Sequence, residues 1–186
     1  PEPLDDPKLT LSLTQRALDF MERQTREARP FYLQISYYAV HLQIQYRADT
    51  LEKYRRKGEP ERDCSQEFAA MLDELDQGIG QVLDKIDSLG IAGETYVFWS
   101  ADNGGAPNNK NNPLYLEHLN GVQAAEGEAD TGGDAAEPPA SVRLPDNHPL
   151  RAAKQWLYEG GIRVPFVVRG PGIQPGSVCH HPVAQY

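Results

Sequence analysis

The chain has 186 residues, with 18 Lys and Arg against 27 Asp and Glu, for a formal charge of −9. That length suits one domain, and 39 % apolar with 24 % charged residues is the balance of a globular chain rather than a disordered one. An acidic chain without a Lys/Arg cluster argues against nucleic-acid binding; no stretch approaches 18 consecutive apolar residues, so no membrane span is expected; and two cysteines, Cys64 and Cys179, cannot build a disulfide scaffold or a four-ligand zinc site.

Residues 1–6 contain no initiator Met, basic stretch or apolar stretch, and 183–186 end without a polar tail, so both termini read as internal to a longer chain. Leu13, Ala17, Phe20 and Met21 form one apolar stripe and predict a helix over about 12–27, with Ser12 and Gln15 in capping-box spacing and Pro30 ending the element. Aromatic and β-branched residues over 31–38 predict a buried strand. The stretch 40–61 is polar and mixed, with a short helical piece near 49–56. The strongest helical signal follows: Phe68, Met71, Leu72, Leu75, Ile79, Val82, Leu83, Ile86 and Leu89 keep 3.6-residue spacing. Asp63 with Gln66 suits the start of that helix, and Gly90 suits its end. Gly78 and Gly80 lie inside it, each at a cost of about 1 kcal/mol relative to Ala, which points to another backbone packed closely there.

A second buried strand is predicted over 95–100 and a third over 164–169, where Pro165 marks a first residue or a sheet edge. Helix–strand alternation favours an α/β fold with a parallel sheet. From Gly104 to Pro149 the composition changes, with seven acids against Lys110 and Arg143 and a preponderance of Asn, Gly, Ala and Pro. Only 114–119 suits a turn of helix, and 121–140 reads as a surface excursion, so 106–149 is expected to be an acidic insertion rather than a domain.

Three places carry candidate chemistry. Asp102-Asn103 follows a strand directly and precedes two glycines. Its hard oxygen donors suit Ca²⁺ or Mg²⁺, although Asn-Gly alone is a common turn and two ligands do not fill such a coordination sphere. His41 lies past the predicted 31–38 strand, where an imidazole serves an anion or a leaving group; taken alone it is a loop histidine. Lys154 near a metal site would favour sulfate or phosphate; taken alone it is a surface charge. No Gly-x-Ser-x-Gly, His-Glu-x-x-His or phosphate-binding P-loop is present, and the adjacent His180 and His181 beside Cys179 are poorly spaced to share one ion.

In order and spacing these pieces resemble the sulfatase family, arylsulfatase-type enzymes of the alkaline phosphatase superfamily, over about 11–183 apart from the insertion. The matching pieces are the strand leading to His41, the helix with Asp76, Gly78 and Gly80, the strand running into Asp102-Asn103-Gly104, and Leu157-Tyr158-Glu159-Gly160-Gly161-Ile162-Arg163-Val164-Pro165 after Lys154. The resemblance implies a partial catalytic domain over 1–186, part of an alkaline-phosphatase-like mixed, mainly parallel sheet flanked by helices. It also implies hydrolysis of sulfate esters by a formylglycine nucleophile with Ca²⁺ or Mg²⁺. Asp102 and Asn103 would be metal ligands, Lys154 would bind the sulfate and the bridging oxygen, and His41 would contact the sulfate and assist the leaving group. The implied partner is a sulfated small molecule or glycan, and the implied location is secreted, periplasmic or lysosomal. A phosphodiesterase or phosphonate hydrolase of the same superfamily and a non-catalytic anion- or sugar-binding relative are the alternatives.

The chain departs from the family pattern at Val40 and Ile44, where proline is usual, at Ala101, where serine is common, and at Ala152, Ala153 and Gln155, which replace glycines around the lysine. Neither Cys64 nor Cys179 stands in the family's Cys-x-Pro/Ser-x-Arg nucleophile motif, which is expected upstream, so the segment alone is expected to be inactive.

Overall fold

The computed structural model describes residues 5–41, 44–58, 64–106 and 147–183. Three helices come first: α1 (Thr10–Arg26), α2 (Ala48–Lys57) and α3 (Gln66–Ser88). After a short 3₁₀ turn (Ala92–Glu94) come β1 (Val97–Ser100), a single helical turn α4 (Glu159–Ile162) and β2 (Phe166–Arg169). The class is α/β, with α1 and α2 both packed on α3.

Helix α1 buries Thr10, Thr14, Ala17 and Met21, and α3 buries Phe68, Ala70, Met71, Glu74, Gly78 and Ile86, the spacing of one helix face in each case. The cap of α1 differs from the sequence expectation. Asp6 reaches over the first turn, accepting from the Leu11 N–H at 2.8 Å and the Ser12 N–H at 3.1 Å, and it also accepts a hydrogen bond from the Ser12 hydroxyl. A carboxylate suits those orphan amides and the positive end of the helix dipole better than a hydroxyl. In α3 the cap is Ser65, whose Oγ accepts from the Phe68 N–H at 3.2 Å; Asp63 lies outside the described residues. Gly90 takes a φ of +71° just past the last turn, and the Ile91 N–H closes back on the Ile86 carbonyl, as predicted for a glycine terminator.

The two interior glycines of α3 part company. A Cβ on Gly78 would sit 2.7 Å from Thr14 Oγ1 and 3.4 Å from the Tyr37 hydroxyl, whereas one on Gly80 would meet nothing within 4 Å. The close neighbours at Gly78 are therefore side chains rather than another backbone, and Gly80 has no such reason. Thr14 Oγ1 bonds the Thr10 carbonyl at 2.7 Å and the Tyr37 hydroxyl at 2.9 Å; burial holds the Tyr37 phenol above its ordinary range. Lys85–Glu22 at 2.7 Å ties α3 to α1, and Lys53–Asp73 at 2.8 Å ties it to α2. Buried Glu74 accepts the Arg47 N–H at 2.7 Å at the start of α2, and burial raises its carboxyl above the usual range.

The segment 31–38 corrects the expectation of a buried strand. It alternates strictly, with Phe31, Leu33, Ile35 and Tyr37 half-buried and Tyr32, Gln34, Ser36 and Tyr38 exposed, but it joins no ladder among the described residues. Its composition favours extended backbone; a ladder also needs a neighbouring strand. The sheet that is present has two strands, and they run antiparallel, with Val97 opposite Arg169 and Ser100 opposite Phe166. The parallel pairing inferred from element order is thus not seen among the described residues. Pro165 stands immediately before β2, where its missing N–H costs no ladder bond. Tyr96, Phe98 and Phe166 line one face in successive ring contacts and remain largely exposed. The helical turn predicted at 114–119 and the excursion at 121–140 lie outside the described residues.

Candidate functional site

Strand β1 delivers Ala101, Asp102 and Asn103 directly from its carboxyl end. Asp102 is exposed and Asn103 half-buried, and the Asn103 Nδ2 donates to Asp102 Oδ1 at 2.7 Å. The amide and carboxylate are thereby held side by side.

The following loop is joined to the segment bearing Lys154 by main-chain hydrogen bonds. The Gly104 N–H donates to the Gly161 carbonyl at 2.9 Å, and the Lys154 N–H donates to the Gly105 carbonyl at 2.9 Å. The Lys154 segment folds on itself as well, through Gly160 N–H to Arg151 O at 2.7 Å and Trp156 N–H to Ala153 O at 3.1 Å. Glycine is what allows this approach. A Cβ on Gly104 would lie 1.8 Å from the Gly160 oxygen, one on Gly160 2.0 Å from the Ala152 oxygen, and one on Gly161 2.1 Å from the Trp156 oxygen. No side chain fits those gaps without moving backbone. The Glu159-Gly160-Gly161 run is thus a physical requirement for wrapping Lys154 against the Asp102 loop. Ala153 is buried beneath, and the Arg151 guanidinium lies 3.7 Å from the centre of the Tyr158 ring.

Two residues flanking Lys154 adopt left-handed backbone without being glycine: Ala152 at φ +63° and Gln155 at φ +78°. These are two of the positions where the family pattern carries glycine. A left-handed residue with a Cβ costs about 1–2 kcal/mol, so the turn keeps its shape at the expense of strain.

His41 lies on a separate segment, at the end of the loop that follows 31–38. Its N–H donates to the Tyr38 carbonyl at 2.9 Å, and its side chain is exposed. The preceding Ala39 and Val40 pack on the Phe68–Met71 cluster at the start of α3, and Ala106, just past the Asp102 loop, packs on that cluster too. One apolar anchor thus serves the loop ahead of His41 and the loop behind Asp102 and Asn103.

The donor set bears on metal binding. Asp102 and Asn103 are hard oxygen ligands of the kind Ca²⁺ and Mg²⁺ take, and they fit two positions of such a sphere. Among the described residues no group of three His, Cys, Asp or Glu side chains is placed to hold a metal. Formylglycine does not fit this chain: half-buried Cys64 immediately precedes the Ser65 cap of α3, and exposed Cys179 lies beyond β2, each without the nucleophile motif. No described helix is long and apolar enough to cross a membrane. Residue patterns missed Asn147, whose side chain donates to the Gly105 carbonyl at 2.9 Å; only its place shortly before Lys154 offered a signal.

Comparison with known proteins identifies the family. The sulfatase family's sequence model matches residues 6–185. A sulfatase of Formosa agariphila is 29 % identical over 180 residues, covering 91 % of this chain and 26 % of the relative. Mouse steryl-sulfatase is 30 % identical over 183 residues, covering 98 % of this chain and 23 % of the relative. The crystal structure of Ps i-CgsB in complex with k-i-k-neocarrahexaose aligns over 88 % of this chain and 28 % of its own, with a TM-score of 0.60 at 21 % identity, a likeness of fold. The chain spans about a quarter of the length of the curated relatives it matches. With the match running through the Asp102 loop, the Lys154 turn and the helices that support them, the chain belongs to the sulfatase family.

Proposed function

We propose that this chain carries part of the divalent-metal and sulfate site of a sulfuric ester hydrolase. The observation that carries the reading is the main-chain bond from Lys154 to Gly105, which holds a lysine against a loop bearing an adjacent Asp and Asn. In this reading Asp102 and Asn103 supply two oxygen ligands to a Ca²⁺ or Mg²⁺ ion. Such an ion, when bound, offsets negative charge on the sulfuryl oxygens. Lys154 binds the sulfate anion and the bridging oxygen through its ammonium, which forms no ion pair with another described residue. His41 contacts the sulfate group and gives a ring proton to the departing alkoxide oxygen. No step is assigned to a cysteine of this chain.

The substrate in this reading is a sulfated small molecule or glycan. Support comes from a steryl-sulfatase among the relatives and from a structural neighbour crystallised with a neocarrahexaose. The same reading makes 1–186 a partial catalytic domain with 106–149 as an acidic insertion. It places the β1–β2 ribbon in a larger, mainly parallel sheet, supported by the exposed aromatic face and by the alternation at 31–38.

The test uses a chromogenic sulfate ester and metal titration. The 186-residue chain alone gives no sustained turnover. In the full-length enzyme Lys154→Ala lowers kcat by about 10²–10³, and Asp102→Ala weakens divalent-ion affinity. Sustained turnover by the isolated chain overturns the nucleophile assignment, and unchanged metal dependence in Asp102→Ala overturns the ligand assignment. Hydrolysis of a phosphodiester in preference to the sulfate ester moves the site to the phosphoesterase branch.

A further inference from the structure

The Gly105 carbonyl is the point where the two halves of the candidate site meet. It accepts the Lys154 N–H at 2.9 Å and the Asn147 Nδ2 at 2.9 Å, so two donors converge on one oxygen. A carbonyl oxygen has two lone pairs, and both are engaged. Asn147 is half-buried and opens a turn that the Leu150 N–H closes on its carbonyl at 2.8 Å, leading straight into the segment that presents Lys154. A Cβ on Gly105 would come within 3.0 Å of Asn147 Oδ1, so the amide lies close over the glycine. The main chain of Asn147 thus travels with Lys154, while its side chain grips the loop that follows Asp102 and Asn103.

We propose that Asn147 is a positioning residue. By fixing the Gly105 carbonyl, its amide sets where the backbone of Lys154 stands relative to Asp102 and Asn103. The inference rests on the sulfate-site reading above and extends it to a residue with no proposed contact to substrate or metal. The chemistry demands a donor at this position. Aspartate, of nearly the same shape, would set an acceptor against the Gly105 oxygen and repel it, and alanine would merely leave one lone pair unused.

The experiment is a double-mutant cycle in the full-length enzyme with a chromogenic sulfate ester, thermal unfolding being followed in parallel. Asn147→Asp is expected to lower kcat by about ten- to a hundredfold in the wild-type background, as small misplacements of a binding group do. In the Lys154→Ala background the same change is expected to have less than a threefold effect, because the group it positions is gone. Asn147→Ala gives a smaller loss with the same dependence on Lys154, and it serves if the Asp variant does not fold. An equal loss in both backgrounds overturns the proposal, since Asn147 then acts on the fold rather than through Lys154. An unchanged kcat in both Asn147 variants, with Lys154→Ala still damaging, also overturns it while leaving the sulfate site standing. If Lys154→Ala itself leaves kcat unchanged, the sulfate-site reading fails and the proposal with it.

Discussion

Between α1 and α3 the chain is joined by side chains: Met21, Ala17 and Ile86 are buried in these helices, Thr14 stands against Gly78, and Lys85 pairs with Glu22. Between the Asp102 loop and the Lys154 turn it is joined by main chain, with Gly104 bonded to Gly161, Gly105 to Lys154, and no Cβ at either glycine pair. The first kind of joint tolerates change in proportion to the volume altered. The second has no volume to give, because carbonyl oxygens already occupy the places where side chains would begin. A binding group held by backbone stands in one place, whereas a group held by packed side chains shifts as they repack.

The largest effect is expected where that contrast is sharpest. Gly160→Ala sets a methyl group 2.0 Å from the Ala152 oxygen and should destabilise the chain by about 3 kcal/mol. Thermal unfolding checks this, and a loss below about 0.5 kcal/mol would show that the turn yields after all. Within α3 the same substitution should have opposite signs two residues apart. Gly80→Ala meets open space and should stabilise by about 1 kcal/mol. Gly78→Ala presses on Thr14 and should destabilise, and matching signs in denaturant titrations would dissolve the distinction.

Next comes the strain around Lys154. Ala152→Gly removes a Cβ from a residue at φ +63°. Relief of about 1–2 kcal/mol, less about 0.5–1 kcal/mol for the freer unfolded chain, leaves a gain of about 0.5–1 kcal/mol in chemical unfolding. No gain would mean that neighbouring contacts, rather than the left-handed backbone, set the energy of the turn. The smallest and most local effect belongs to Glu74. Its carboxyl is raised by burial, so the folded chain binds a proton more tightly than the unfolded chain. This contribution is fully present below the ordinary carboxylate range and is lost as pH rises through the raised value. Glu74→Gln keeps an oxygen for the Arg47 N–H and should flatten that part of the melting-temperature profile; an identical profile in the variant would remove Glu74 as its source.

What was legible in the sequence follows the same division. Helix α3 announced itself because its side chains repeat at helical spacing, and the ends of α1 were close for the same reason. Asp102, Asn103, His41 and Lys154 were visible as residue types in an order. Three things were not legible. Asp6 displaced Ser12 as the cap of α1 because a carboxylate reached two amides and the hydroxyl at once. The 31–38 segment has every preference of a strand, yet a ladder is a property of two segments, and the antiparallel partner of β1 lies far along the chain. Asn147 carried no motif of its own, since its role depends on one carbonyl that only folding brings to it.

That carbonyl has one more consequence. Because the Asn147 amide bonds the Gly105 oxygen, two described residues 42 positions apart in sequence are fixed at one post. Each doubling of a flexible connection between two fixed points costs only about 0.6 kcal/mol. The pair therefore acts as a socket: a short linker, or an unrelated domain whose ends lie close together, can be spliced between 106 and 146 without altering the span that either neighbour must bridge.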